Sequence, residues 1–221
     1  MPRANLKRLD PADILNAYAL GYFPMARTRS DADVVWVLPE RRGVLQLARA
    51  RAPKKLRRLV KRETFRVRVD TAFSAVVAAC AEAAPGREDT WINADIEKAY
   101  AALHAQGVAH SVECWRNGAL VGGRYGVAVG GVFCGESMFS READASKVAM
   151  LHLIARLRIG GFEVLDTQFH TEHLAQFGVE ERPNAAYQEM LKRLVAVGAD
   201  FNRAPGQLSS TTVLQSITQT S

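Results

Sequence analysis

Three consecutive segments constrain this chain more than anything else in it: His110–Arg116, Ala119–Val129 and Val132–Cys134, joined by Asn117-Gly118 and Gly130-Gly131. Asn-Gly between two apolar-rich runs signals a two-residue hairpin, because both central positions need positive φ. Two tight turns in succession predict an antiparallel meander. Helical patterns flank it. Asp70 is expected to cap a helix with the apolar face Phe73, Val76, Val77 and Cys80. Asn93 is expected to cap Ala94–Ala105, closed by Gly107, after a loop over Ala84–Asp89. Beyond the meander a helix over Ala145–Arg158 should stop at Gly160-Gly161, and Phe162–Thr167 should return as a strand. Strands and helices mixed around a central meander predict an α+β fold.

The first 63 residues read as a smaller unit. Asp10-Pro11 supplies a cap and a first-turn proline for a helix over Ala12–Leu20, which ends at Gly21. Tyr22-Phe23-Pro24-Met25 reads as an apolar loop, and Val34–Val37 and Gly43–Leu47 as short strands separated by Pro39-Glu40-Arg41-Arg42. Pro53–Lys61 should be helical, since Leu56, Leu59 and Val60 recur at helical spacing. From Phe65 the pattern changes: Phe65, Val67 and Val69 alternate with Arg66 and Arg68 as in a half-buried strand. A boundary is therefore expected at Glu63-Thr64, dividing residues 1–63 from a larger domain over 64–203. Tyr187–Val197 is its last long helix, and the Ser/Thr/Gln-rich residues 204–221 form a disordered tail.

The formal charge is +6, and its distribution says more than its sum. Between Arg49 and Arg68 lie ten basic residues, opposed by Glu63 alone. Such a run is either a solvated basic face or a grip on phosphates. No aromatic residue interleaves Arg49–Glu63, so it would hold a nucleic-acid backbone without reading bases. Cys80, Cys114 and Cys134 are odd in number and widely spaced, which reads as free thiols in a reducing compartment. The sequence has no leader pattern and no stretch long enough to span a bilayer, so a cytoplasmic protein without a membrane partner is expected.

The polar residues of interest sit among apolar ones. Glu136 stands in Gly135-Glu136-Ser137-Met138-Phe139-Ser140, where an unpaired buried charge would be costly. It is either a salt-bridged structural carboxylate or a working one. Asp166 and Gln168 are two apart on one expected strand, and so should face the same side. A carboxylate beside a carboxamide can orient an incoming amine by accepting its hydrogens, unless Asp166 merely caps the next turn. Trp91 follows a polar loop and Tyr100 lies on the next helix; each is either a packing residue or a ligand contact. Phe133, Met138, Met150, Leu153 and Leu157 are residue types that suit plain core and an apolar ligand pocket equally. His170 and His173 are three apart but lack an evident third ligand, so no metal site is assigned.

Several words in fixed order resemble one family: Ala17-Tyr18 with Gly21-Tyr22-Phe23-Pro24, Thr90-Trp91-Ile92, Ala99-Tyr100, Ala109-His110-Ser111-Val112-Glu113, Val121-Gly122-Gly123, Tyr125-Gly126-Val127-Ala128, Gly135–Ser140 and Ala145-Ser146-Lys147. The chain resembles the bacterial leucyl/phenylalanyl-tRNA–protein transferases from there to about Tyr187. The resemblance implies a small N-terminal domain joined to a mixed sheet with flanking helices of the acetyltransferase-like (GNAT) type. It implies transfer of Leu or Phe from Leu-tRNA or Phe-tRNA to proteins that begin with Arg or Lys, which creates a degradation signal of the N-degron pathway. Trp91 and Tyr100 match positions that hold the terminal adenosine, and Phe133, Met138, Met150, Leu153 and Leu157 match the aminoacyl side-chain pocket. Glu136, Asp166 and Gln168 match the polar residues proposed for catalysis, and Lys54, Arg57, Arg58 and Lys61 match the tRNA-facing surface. An aminoacyl ester is already activated, so no cofactor, metal or ATP is expected, and no DNA partner. Arg124 departs from the pattern, standing where the family usually has an apolar pocket residue. Either it turns outward or the pocket is altered. An acyl-CoA N-acetyltransferase is the rival enzyme reading, but the chain has no Gln/Arg-x-x-Gly-x-Gly/Ala loop for a pyrophosphate. A non-catalytic RNA-binding protein would leave Glu136, Asp166 and Gln168 without a task.

Overall fold

Asp10 accepts a hydrogen bond from the Ala12 N–H at 2.8 Å, and with Pro11 in the first turn it starts α1 (Pro11–Ala19) as expected. The computed structural model describes residues 9–83, 88–204 and 206–218, so part of the loop expected over Ala84–Asp89 lies outside the described residues. After α1 the chain differs from the sequence reading. The segment read as an apolar loop is strand β1 (Phe23–Ala26), which pairs antiparallel with β2 (Val34–Val37), Phe23 opposite Val37 and Met25 opposite Val35. Four residues containing a proline show no period of their own. Only the partner strand makes them a ladder.

The remaining elements follow in the order β3 (Arg41–Gln46), α2 (Lys54–Lys61), β4 (Arg66–Val69), α3 (Phe73–Ala81), α4 (Ala94–Ala105), β5 (Ala109–Arg116), β6 (Ala119–Val129), β7 (Val132–Ser140), α5 (Ala145–Ile159), β8 (Val164–Gln168), α6 (Glu172–Ala175), β9 (Glu180–Pro183), α7 (Asn184–Leu194) and α8 (Ser210–Thr218). Seven strands form one mixed sheet in the order β4-β5-β6-β7-β8-β3-β9. The meander is β5-β6-β7, turned at Asn117-Gly118, where both residues have positive φ. The crossover through α5 makes β7 and β8 the parallel pair. The expected boundary at Glu63-Thr64 does not separate two sheets: β3, on its N-terminal side, lies inside the large sheet between β8 and β9.

The sheet is covered on both faces. One core layer joins α2, α5 and α8 to Phe133 and Leu165; the other joins α1, α3, α4 and α7 to Tyr125, Val127 and Cys134. The tail expected to be disordered contains α8, whose Val213 and Ile217 are buried against that first layer. Its polar composition hid an apolar pair at helical spacing. Asp70 is not the cap of α3. It has φ +56 and accepts from the Ser111 N–H at 2.7 Å, while the Glu113 carboxylate reaches across from β5 to accept from the N–H groups of Thr71 and Ala72 at 2.9 and 2.7 Å. Cys80, Cys114 and Cys134 are free and buried. No helix among the described residues is long and apolar enough to cross a membrane.

Candidate active site

The site forms where two parallel strands part. β7 and β8 pair only over Val132–Cys134 and Val164–Asp166. Just past the last pair, β7 bulges against β6: Gly126 faces Gly135, Tyr125 faces Ser137, and Glu136 is the extra residue. The bulge turns Glu136 toward the α4 side of the sheet. There its Oε2 accepts from the Tyr100 hydroxyl at 2.9 Å, and its Oε1 accepts from Gln168 Nε2 at 2.8 Å. Tyr100 in turn shares a hydrogen bond with the Tyr18 hydroxyl of α1. Glu136 is 8% exposed, and among the described residues no cation lies within ion-pair distance of it. Burial pushes its carboxyl up to about 7, against the hydrogen bonds from Tyr18, Tyr100 and Gln168 that favour the charged form. Of the two readings of Glu136, the salt-bridged structural carboxylate is the one its surroundings do not provide.

Asp166 is held differently. Its carboxylate takes Arg42 side-on, from Nε at 2.9 and 3.0 Å and Nη2 at 2.6 Å, with both side chains fully buried. Tyr187 donates to it at 2.7 Å. The Arg42 guanidinium also donates to the Gly21 carbonyl at 2.8 Å and lies between the Phe23 and Tyr187 rings, 4.8 and 4.7 Å from their centroids. Asp166 touches Gln168 through the backbone, accepting its N–H at 2.8 Å. Gln168 has φ +61, and this bond fixes that unusual turn. Gly43 of β3 packs against it; a Cβ there would lie 2.5 Å from the Phe169 carbonyl oxygen. The two side chains lie on the same α1/α4/α7 face of the sheet, as expected, but take different partners there. Gln168 reaches Glu136, whereas Asp166 is turned to Arg42 and Tyr187. Arg42, Tyr18 and Tyr187 are the residues that sequence reasoning left without a role. Arg42 reads as one more basic residue of a polar turn, and its partner lies 124 positions away.

The other expected residues fall into three places. Tyr100 is fully buried, with its hydroxyl committed to Glu136, so its ring offers no open face to a base. Trp91 is half-buried, and its carbonyl accepts from the Ala26 N–H at 3.1 Å, tying β1 to the approach of α4. Phe133, Met150, Leu153 and Leu157 are buried in the α5 layer, and half-buried Met138 packs on it. Arg124 has turned inward. It is 2% exposed, and its guanidinium reaches Met150 Sδ. On α2, Leu56 and Val60 are buried, while Lys54, Arg58 and Lys61 are exposed and Arg57 is half-buried. Among the described residues no carboxylate pairs with these four. Lys55 instead pairs with Asp144 ahead of α5. A cavity of about 370 Å³ lies behind α2, lined in part by Val60, Phe65, Val148, His152 and Leu208, and holds none of the polar site residues.

A family model described as leucyl/phenylalanyl-tRNA protein transferase matches residues 44–192, and that family's N-terminal domain matches residues 7–40. The chain belongs to this family. Proteins named leucyl/phenylalanyl-tRNA–protein transferase are similar over most of their length. That of Phenylobacterium zucineum is 54% identical over 196 residues, 89% of each chain. That of Caulobacter vibrioides is 52% identical over 209 residues, 95% of this chain and 96% of the relative. That of Paramagnetospirillum magneticum is 55% identical over 190 residues, 86% and 91%. The family divides the chain at residues 40–44, where β3 enters the large sheet.

Proposed function

We propose that this transferase-family chain moves Leu or Phe from aminoacyl-tRNA to the N-terminal Arg or Lys of proteins, in the cytoplasm, and so marks them for degradation. The single observation that carries the chemistry is the Glu136–Gln168 pair at the parting of β7 and β8. An ionised Glu136 can only accept, so Gln168 must give it the amide N–H and keep its own carbonyl oxygen for another donor. That oxygen is the natural acceptor for an N–H of the incoming α-amine. The amine attacks the ester carbonyl, a C–N bond forms, the C–O bond to the ribose breaks, and the amine loses a proton. Glu136, whose pKa burial sets near neutral pH, takes that proton and returns it to the departing ribose oxygen, which leaves as the hydroxyl. Asp166 is a positioning residue: it holds the backbone of Gln168 and the guanidinium of Arg42.

The strand geometry supports a GNAT-type fold for the larger domain, with the parting of two parallel strands as the acyl-donor site. Half-buried Trp91 suits the terminal adenosine better than fully buried Tyr100 does. The unpaired cations Lys54, Arg57, Arg58 and Lys61 on α2 suit the acceptor-stem phosphates. The experiment is mass spectrometry of an Arg-starting peptide incubated with Leu-tRNA or Phe-tRNA, without ATP. Addition of one Leu or Phe to the N-terminus is expected. Acetylation from acetyl-CoA with no aminoacyl transfer would overturn the reading.

A further inference from the structure

The cavity of about 370 Å³ behind α2 takes no part in the reaction above. Its walls come from α2, β4, α5 and the turn into α8. Val60, Phe65, Val67, Val148 and Leu208 give it a buried apolar lining. Three polar side chains share that lining: His152 of α5, Gln207 ahead of α8 and Ser210 at its start. None of the three side chains makes a hydrogen bond among the described residues. Burial, with the Arg156 charge, holds the His152 imidazole down to about 4, so at neutral pH it is uncharged, with one donor and one acceptor. The wall beside it is fixed in place. Arg156 donates to the carbonyls of Phe201, Ala204 and Gly206 at 3.3, 3.0 and 2.5 Å, and buried Val213 and Ile217 seat α8 on the core. Glu63 and Arg66 are the exposed charges of the lining, and neither has an ion-pair partner among the described residues. The cations of α2 lead up to them through exposed Lys61 and Arg62.

A purely apolar occupant would strip water from an imidazole, an amide and a hydroxyl and give them no partner. A charged group inside would meet a lining that keeps its own imidazole neutral. The volume is that of a small-molecule site, and its chemistry asks for a flat, uncharged group with several donors and acceptors on its edge. The cations at the rim ask for a negative charge outside. We propose that this cavity binds a nucleobase between its apolar walls, its edge on His152, Gln207 and Ser210, with the attached phosphate on Arg66. Phe65 is the first aromatic residue after the basic run and has no ring partner among the described residues, so it is the side chain on that wall able to stack on a base. A free nucleotide and an unpaired nucleotide of an RNA carry this same chemistry. The site does not depend on the transfer reaction.

The test follows the His152 imidazole by NMR in the full chain, its signal assigned by its loss in His152→Phe. AMP, CMP, GMP and UMP are titrated singly, with ribose 5-phosphate as the control that has no base. At least one nucleotide should move the signal, and ribose 5-phosphate should not. By equilibrium dialysis of that nucleotide, His152→Phe should bind about 3- to 10-fold more weakly, the loss of one hydrogen bond. Arg66→Ala should weaken the nucleotide by about 2- to 5-fold and leave its nucleoside unchanged, as fits an exposed charge pair. Ser210→Trp fills the cavity from its half-exposed edge and should abolish binding. Deacylated tRNA that moves the same signal, and is displaced by the nucleotide, assigns the occupant to RNA; a signal moved by the nucleotide and not by tRNA assigns it to a free nucleotide. A signal that none of the four nucleotides moves refutes the site. Ribose 5-phosphate binding as tightly as the nucleotides, or nucleotide binding that survives in Ser210→Trp, also refutes it, because the phosphate is then held on the outer basic face alone.

Discussion

Replacing Asp166 with Asn separates a residue that builds the site from one that reacts in it. The substitution keeps the shape and removes the charge that balances Arg42. Both side chains are fully buried, and the guanidinium is held between two rings with no route to water. Removing one partner of a buried pair costs about 3–5 kcal/mol, because the other charge is left without compensation. A chain of this size loses about 2–4 °C of melting temperature per kcal/mol, so a fall of roughly 6–20 °C is expected. The double variant Arg42→Met/Asp166→Asn should recover at least half of that loss, since it removes the stranded cation as well. Thermal melts by circular dichroism on the wild type, both single variants and the double variant measure this. Activity should fall with the single variant, because the Gln168 N–H loses its ionised acceptor. If Asp166→Asn melts within about 2 °C of the wild type yet loses more than ~10²-fold in kcat, Asp166 takes part in the chemistry itself and the positioning argument fails.

Glu136→Gln should lower kcat by about 10²-fold or more and abolish the acid limb near pH 7 in the rate profile; a retained limb would assign it to another group. The same raised pKa makes Glu136 a cost to folding. The folded protein holds its proton more tightly than the unfolded chain, so this contribution is neutral below about pH 4.5 and destabilises progressively up to about pH 7. Glu136→Gln should therefore stabilise the protein at pH 8 relative to pH 4, by an amount on the order of 3 kcal/mol, read from paired urea titrations. Tyr100→Phe removes one donor from the carboxylate and should move the acid limb to higher pH with the fold intact; an unmoved limb refutes the hydroxyl's part in tuning it. Arg57, Arg58 and Lys61 replaced together by Ala should flatten the salt dependence of tRNA use by up to ~1 per lost phosphate contact. Transfer from a minimal aminoacyl-adenosine should survive; an unchanged salt slope would make the face merely solvated.

The sequence by itself determined what depends on neighbours along the chain. The Asp10 and Asn93 caps, the Asn117-Gly118 turn and the periodicity of the helices that became α4 and α5 are local physics, and they placed the meander and its flanking helices. The ordered words around Trp91, Glu136 and Asp166 likewise pointed to the family that the comparisons show. What the tertiary structure alone decided depends on partners far apart in the chain. Whether Glu136 is paired or poised turned on a bulge in β7 and on hydroxyls from α1 and α4. Asp166 pairs with Arg42 because that residue, in what read as a polar turn, enters the same sheet two strands from β7. β1 needed β2, and α8 needed the apolar face of α5, before either showed itself. Arg124 could have faced water or the core, since strand alternation gives a residue its face only once the core side of that face is known. The fold set that side by packing α5 over β6, and so buried a charge where the resemblance to the family implies an apolar residue.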